Sequence, residues 1–493
     1  MLGFAGMPVA IAQSFNIPLQ LAQTANGVDL IINVGIGGQA ARPYLFDTGS
    51  VAFNAAYSAS AFGAIPSQMS ASSALYPTGL PTGVTYTYTS NNSLTGNIVS
   101  VPSLTFYSSS APSDTSTGVT LNAVTPSGAA SGFTMTAVTQ RNGTDINNNV
   151  PLQSIPGLFG GYYGIFGAGD FSAYKTGTGA NTTTAATSSV LGQAVVAGTT
   201  AGYVVAANGQ ALKDLPTGTS ANNPGPNPGS TTNGPQVGQS VTSCSPCVML
   251  GLTPALLAQF KPMNTMSWTA QPAGAQPVPA TMANSNAPSS WEYSVNMNYT
   301  ASNGRRTVSW RDQPTLLDTG TPTNQLQSTT ADLSGLGTYN NGTATLFQGT
   351  TVTVTGTASG ATPTTNTVFR TGSYPYNSPY ETQVGDSSNY NIVGVSFFLE
   401  NSVLYNLAGQ AVGYTPNFVT DTNIFTSSAT PLVIGADSVP LGLAGIISGP
   451  GGLSITSGGS ATLSGTNSYT GATSISGGTL ALVGSGRDRK SVV

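Results

Sequence analysis

Tyr44-Leu45-Phe46-Asp47-Thr48-Gly49-Ser50 and Leu316-Leu317-Asp318-Thr319-Gly320-Thr321 are near-copies of one another. In each, an apolar run ends on an Asp, and Thr, Gly and a hydroxyl-bearing residue follow. The pattern predicts a buried strand with the carboxylate at its end, then a sharp turn that Gly permits. A carboxylate in that position is costly unless hydrogen-bonded, and Ser50 or Thr321 can supply a hydroxyl for the purpose. A lone Asp-Thr-Gly is an ordinary turn. Two copies with the same lead-in and the same trailing hydroxyl point to a paired site. Facing each other, two carboxylates cannot both ionise cheaply, so one pKa rises and the other falls. An acid and a base then arise from one residue type, in a chain that has no His.

Composition bounds the rest. At 493 residues the chain can hold two or three domains and a sizeable core. Hydrophobic residues make up 39%, which excludes a disordered chain. Only 6% of residues are charged, against about 25% in a typical protein. Gly, Ser, Thr and Asn carry the polarity instead, which favours an all-β fold of short strands and many turns. The net charge of −4 and the lack of a basic stripe give nucleic acid no electrostatic hold. No apolar run reaches the roughly 18 residues that a membrane-spanning helix needs. The apolar start, residues 1–12, ends Ala10-Ile11-Ala12, which looks like the small-x-small end of a secretory signal, although a basic leader before it is missing.

Cys244 and Cys247 lie in Cys-Ser-Pro-Cys and are the chain's two cysteines. A zinc site needs about four ligands, and neither a further Cys nor a His is present. No metal and no cofactor are expected. A small disulfide loop in an oxidising compartment and a pair of free thiols are both open readings.

Beyond the two motifs, the chain resembles the pepsin-like aspartic endopeptidases over about residues 25 to 418. Asp29-Leu30-Ile31-Ile32-Asn33-Val34-Gly35-Ile36-Gly37 is similar to the family's opening strand pair. Ser93-Leu94-Thr95-Gly96 resembles the far side of its flap hairpin, and Gly164-Ile165-Phe166-Gly167-Ala168-Gly169 the segment behind the first catalytic loop. Trp291-Glu292-Tyr293-Ser294-Val295 resembles a strand of the second half, and Ile392 to Phe398, Val403 to Asn406 and Val412 to Tyr414 the closing signature. The resemblance implies a bilobal fold and a catalytic pair, Asp47 and Asp318. Thr48, Gly49, Ser50, Thr319, Gly320 and Thr321 would support the pair, and Tyr88 would close a flap over a protein or peptide substrate. Three features depart from the family pattern. The aspartates are 271 residues apart, which is long for the family. Tyr86 competes with Tyr88 for the flap. Ser50-Val51-Ala52-Phe53-Asn54 replaces the stretch that usually carries the flap's supporting tryptophan.

The implied organisation is an N-terminal lobe over residues 25–202 and a C-terminal lobe over 203–418, with a Gly/Asn/Pro-rich surface insertion at 214–243. Thr253-Pro254-Ala255-Leu256-Leu257-Ala258-Gln259-Phe260 predicts a helix, capped by Thr253 with Pro254 at its first position. Residues 440–486 change character. Gly-Gly pairs at 451–452, 458–459 and 477–478 each precede a short alternating strand, the pattern of a parallel β-helix. Leu463 to Gly471 and Gly477 to Leu482 resemble the passenger-associated repeat of bacterial autotransporters. The expectation is an exported, monomeric aspartic endopeptidase at the cell surface, with a translocator barrel as the partner outside this chain. Two other readings stay open: a binding or inhibitory module without turnover, and an adhesin whose protease-like head is decoration.

Overall fold

The apolar lead-in to each Asp forms a strand, Arg42–Asp47 in one half of the chain and Thr307–Leu317 in the other. A second strand lies parallel beside each. Gly164–Gly167 pairs Ile165 with Leu45 and Gly167 with Asp47. Asn391–Val393 pairs Thr315 with Asn391 and Leu317 with Val393. Strands covered on both faces read as continuous apolar runs, which is why the lead-ins show no alternation.

This computed structural model describes most of residues 14–482. Residues 1–13, 58–82, 108–117, 123–131, 147–161, 207–246, 266–293, 357–365, 371–380 and 483–493, with several shorter stretches, lie outside the described residues. The expected signal remnant, the 214–243 insertion, Cys244 and Trp291 fall among them.

The first motif belongs to a thirteen-stranded sheet and the second to a nine-stranded sheet. Between them runs a six-stranded sheet in the order Phe15–Pro18, Cys247–Leu252, Thr200–Ala206, Ser402–Asn406, Ala411–Thr415 and Met263–Thr265. It draws strands from both halves of the chain, and Thr200–Ala206 runs across the 202/203 division. The described helices are short, four to six residues each: Val190–Gln193, Pro254–Gln259 and Val395–Glu400. The second is the one expected, with the Leu256 N–H donating to Thr253 Oγ1 at 3.1 Å. The fold is all-β and two-lobed, as the pepsin-like resemblance implies.

From Phe418 onward the strands pair in parallel. One ladder runs Phe418–Thr420, Leu441–Leu443, Ser460–Leu463, Thr479–Leu482, and another Leu432–Ile434, Leu453–Ile455, Thr473–Ile475. Partners recur at roughly twenty residues, the length of one repeat unit in stacked architectures. The ladders begin before residue 440, the expected start of the repeat region, and before the first Gly-Gly pair at 451–452. Their buried side chains, among them Leu432, Ile434, Leu453, Ile455 and Leu463, form one cluster with Val204, Met249, Leu404 and Phe260. The ladders therefore cover one face of the six-stranded sheet. Neighbouring residues on the same strands, Tyr203, Val205, Val403 and Tyr405, turn to the opposite face and join the main core.

Candidate active site

Each motif holds its carboxylate in the same way. Asp47 Oδ1 accepts from the Gly49 N–H at 2.8 Å and Oδ2 from the Ser50 hydroxyl at 2.7 Å. Asp318 Oδ1 accepts from the Gly320 N–H at 2.7 Å and Oδ2 from the Thr321 hydroxyl at 2.5 Å. Both aspartates are buried, so these bonds offset much of the cost of removing a carboxylate from water.

The threonines bring the loops together. The Thr48 N–H donates to Thr319 Oγ1 at 3.0 Å, and the Thr319 N–H donates to Thr48 Oγ1 at 3.0 Å. Each hydroxyl then donates onward across the interface, Thr48 to the Leu317 carbonyl at 2.8 Å and Thr319 to the Phe46 carbonyl at 2.7 Å. The exchange is reciprocal, and it pairs four backbone groups, the N–H groups of Thr48 and Thr319 and the carbonyls of Leu317 and Phe46, across the two loops.

The glycines are required for a reason other than the one read from sequence. The sequence asked only for a sharp turn that Gly permits, and neither Gly49 nor Gly320 has a positive φ. A Cβ on Gly49 would lie 2.4 Å from Asp318 Cγ, and one on Gly320 would lie 2.5 Å from Asp47 Cγ. Each carboxylate sits over the other motif's glycine, so any side chain there would collide with the opposite acid.

This proximity sets the protonation. Burial holds the Asp47 carboxyl well above the usual carboxylate range, and the charge of Asp318 and a carboxyl–carboxyl hydrogen bond to it act in the same direction. The bonds from Ser50 and Gly49 oppose the rise. The arrangement can hold one proton between two acids, which is the acid–base pair that the repeated motif implied.

Val84–Thr87 and Ser93–Val101 form an antiparallel hairpin that pairs Val84 with Gly96 and Thr87 with Ser93. Tyr86 is buried, and its hydroxyl accepts from Thr136 Oγ1 at 3.3 Å. Tyr88 follows the strand, and its hydroxyl accepts from Asn54 Nδ2 at 2.6 Å. Burial raises the Tyr88 phenol pKa, the bond from Asn54 opposes the rise and the charge of Asp47 adds to it, so the phenol lies within electrostatic reach of Asp47. Asn54 was missed as a site residue. The signal was the unusual Ser50-to-Asn54 stretch, whose last member now partners the tyrosine.

Cys247 is buried and disulfide-bonded; Cys244, the chain's other cysteine, lies outside the described residues. Among the described residues no group of three His, Cys, Asp or Glu side chains could hold a metal ion, and no helix is long and apolar enough to cross a membrane.

No family model matches the chain, and no curated protein sequence does. Among solved structures it is similar to the aspartic proteinase from Irpex lacteus, at a TM-score of 0.42 and 15% identity, over 82% of this chain and 98% of that one.

Proposed function

We propose that this chain is an aspartic endopeptidase that hydrolyses peptide bonds in acid, with Asp47 and Asp318 as its catalytic pair. One observation carries the reading: each buried carboxylate sits against the opposite motif's glycine, which sets the two acids close together, and burial with the charge of Asp318 pushes the Asp47 pKa up. A water bound between the acids would lose a proton to the pair's single negative charge as it attacks the scissile carbonyl. The shared proton would bond the carbonyl oxygen, and a proton would then pass to the leaving amine. Ser50 and Thr321 orient the outer carboxylate oxygens, and Thr48 and Thr319 keep the loops in register. Tyr88, anchored by Asn54, would close over the substrate and exclude water. No metal or covalent intermediate enters the scheme.

The proposal extends to the C-terminal ladders, read as rungs of a β-helix in an autotransporter-type passenger whose head is exported to the cell surface. Their parallel pairing and Gly-Gly punctuation support this reading.

The test is digestion of a peptide library at acid pH by the parent and by Asp47→Asn, with and without a statine-type peptide that mimics the tetrahedral intermediate. Cleavage by the parent alone, blocked by the statine peptide, is the expected result. An inert parent would leave a binding module in its place.

A further inference from the structure

Tyr203 and Tyr405 stand directly opposite each other on neighbouring antiparallel strands of the six-stranded sheet. Their rings stack with centroids 4.9 Å apart and 24° between planes, and both side chains are fully buried. Each hydroxyl donates to a backbone carbonyl of a different lobe. Tyr203 reaches the Ala168 carbonyl at 2.5 Å, and the Ala168 N–H in turn donates to the Asp47 carbonyl at 2.8 Å. Tyr405 reaches the Leu317 carbonyl at 3.1 Å, on the residue before Asp318. That same carbonyl accepts from Thr48 of the other loop.

We infer that the stacked Tyr203–Tyr405 pair positions the catalytic pair, one hydroxyl tethering the support of each aspartate. This rests on the proposed endopeptidase reading.

Neither phenol is needed for packing alone, since Phe would stack as well; what Tyr adds is a directed donor. Burial, followed by the charges of Asp318 and Asp47, raises the Tyr405 pKa, while its bond with Thr48 acts the other way. The phenol therefore stays protonated and remains a donor throughout the acid range. The opposite face of these strands is filled by Val204 and Leu404 packed on the C-terminal ladders, so the tyrosines cannot recede from the loops.

The experiment compares the parent, Tyr203→Phe, Tyr405→Phe and the double variant, with Asp47→Asn introduced into each. Turnover of an acid-cleaved peptide is one readout, and melting temperature against pH is the other. A tether lost from a catalytic loop misplaces a carboxylate in the transition state more than it weakens substrate binding. We expect kcat to fall about tenfold in each single variant with KM within about twofold. The double variant should fall by less than the product of the singles, since the tethers act on one unit. The difference in melting temperature that Asp47→Asn makes across the acid range should also shrink in the Phe variants, because looser carboxylates interact less. That second readout does not need turnover. An inert parent would sink the enzyme reading, and the melting series would still decide the tether. Phe variants with parental kcat, or with an inert parent an unchanged effect of Asp47→Asn at every pH, would overturn the inference and leave the tyrosines as packing.

Discussion

Asp47 ends a strand of one lobe and Asp318 directly follows a strand of the other, and each holds its carboxylate by one backbone N–H and one hydroxyl, at nearly equal distances. Within the motifs the differences are slight: Ser50 stands where Thr321 does. Around them the lobes diverge. Asp47 has a hairpin beside it, with Tyr88 held by Asn54 and electrostatically linked to the carboxylate. Asp318 has its own N–H bonded to the Val393 carbonyl and the short helix Val395–Glu400 just beyond. Two loops of one local design thus acquire different neighbours. Symmetry brings the acids together, whereas asymmetry gives them different surroundings.

The strongest way to break the symmetry is to remove one acid. Asp47→Asn or Asp318→Asn keeps the side-chain volume but leaves no shared proton. Either change should cost turnover by roughly 10⁴-fold or more, and combining them should cost little extra, because the pair acts as a unit. Single-turnover assays at acid pH would show this. A single variant within tenfold of the parent would mean that the carboxylates are structural.

The cross-lobe threonines come next. Thr48→Val deletes one hydroxyl that both donates to Leu317 and accepts from Thr319, and Thr319→Val does the mirror image. Each takes the hydroxyl acceptor from a buried backbone N–H, that of Thr319 or that of Thr48, so each should destabilise by about 2 kcal/mol in denaturant melts. Because the bonds interlock, the double variant should lose less than the sum of the singles. Strict additivity would show that the two exchanges are independent.

A third test sharpens the difference between the acids through pH. The Asp47 pKa is higher folded than unfolded, so the folded state binds this proton more tightly. That contribution to stability is complete below the ordinary carboxylate range near pH 4 and is lost as pH rises through the folded value. The parent should therefore lose stability relative to Asp47→Asn as pH climbs from about 4 toward neutrality, as followed by melting temperature. A constant difference would mean that Asp47 is not perturbed.

The smallest effect belongs to the residues that distinguish the motifs. The Ser50 hydroxyl lowers the Asp47 pKa, so Ser50→Ala should move the alkaline limb of the activity profile to higher pH. Activity at the optimum should stay within about threefold, since the Gly49 N–H still orients the carboxylate. A downward displacement of that limb would reverse the assignment of Ser50 as a bond to the ionised form.

Much of the molecule could be read before folding. The apolar lead-ins became central strands, Thr253 caps the one helix foreseen, and Leu453–Ile455, Ser460–Leu463 and Thr479–Leu482 are strands where alternation placed them. These features depend on neighbours a few residues away, and local propensity and periodicity report on them directly. Asn54 escaped because its partner is 34 residues distant, at the edge of a different strand. The seating of the ladders on the six-stranded sheet escaped for a similar reason: Leu432 and Val204 are both plain apolar residues, and nothing in either names the other.

The make-up of the pair was legible in the sequence alone: two acids, each with its own turn, hydroxyl and buried lead-in, in a chain without His. The need for Gly at 49 and 320, the tyrosine that sits beside Asn54, and the rise in the Asp47 pKa were decided only by tertiary structure. Each depends on how closely groups from distant segments approach. Steric exclusion, desolvation and charge–charge coupling all act through space, and distance along the chain does not encode them.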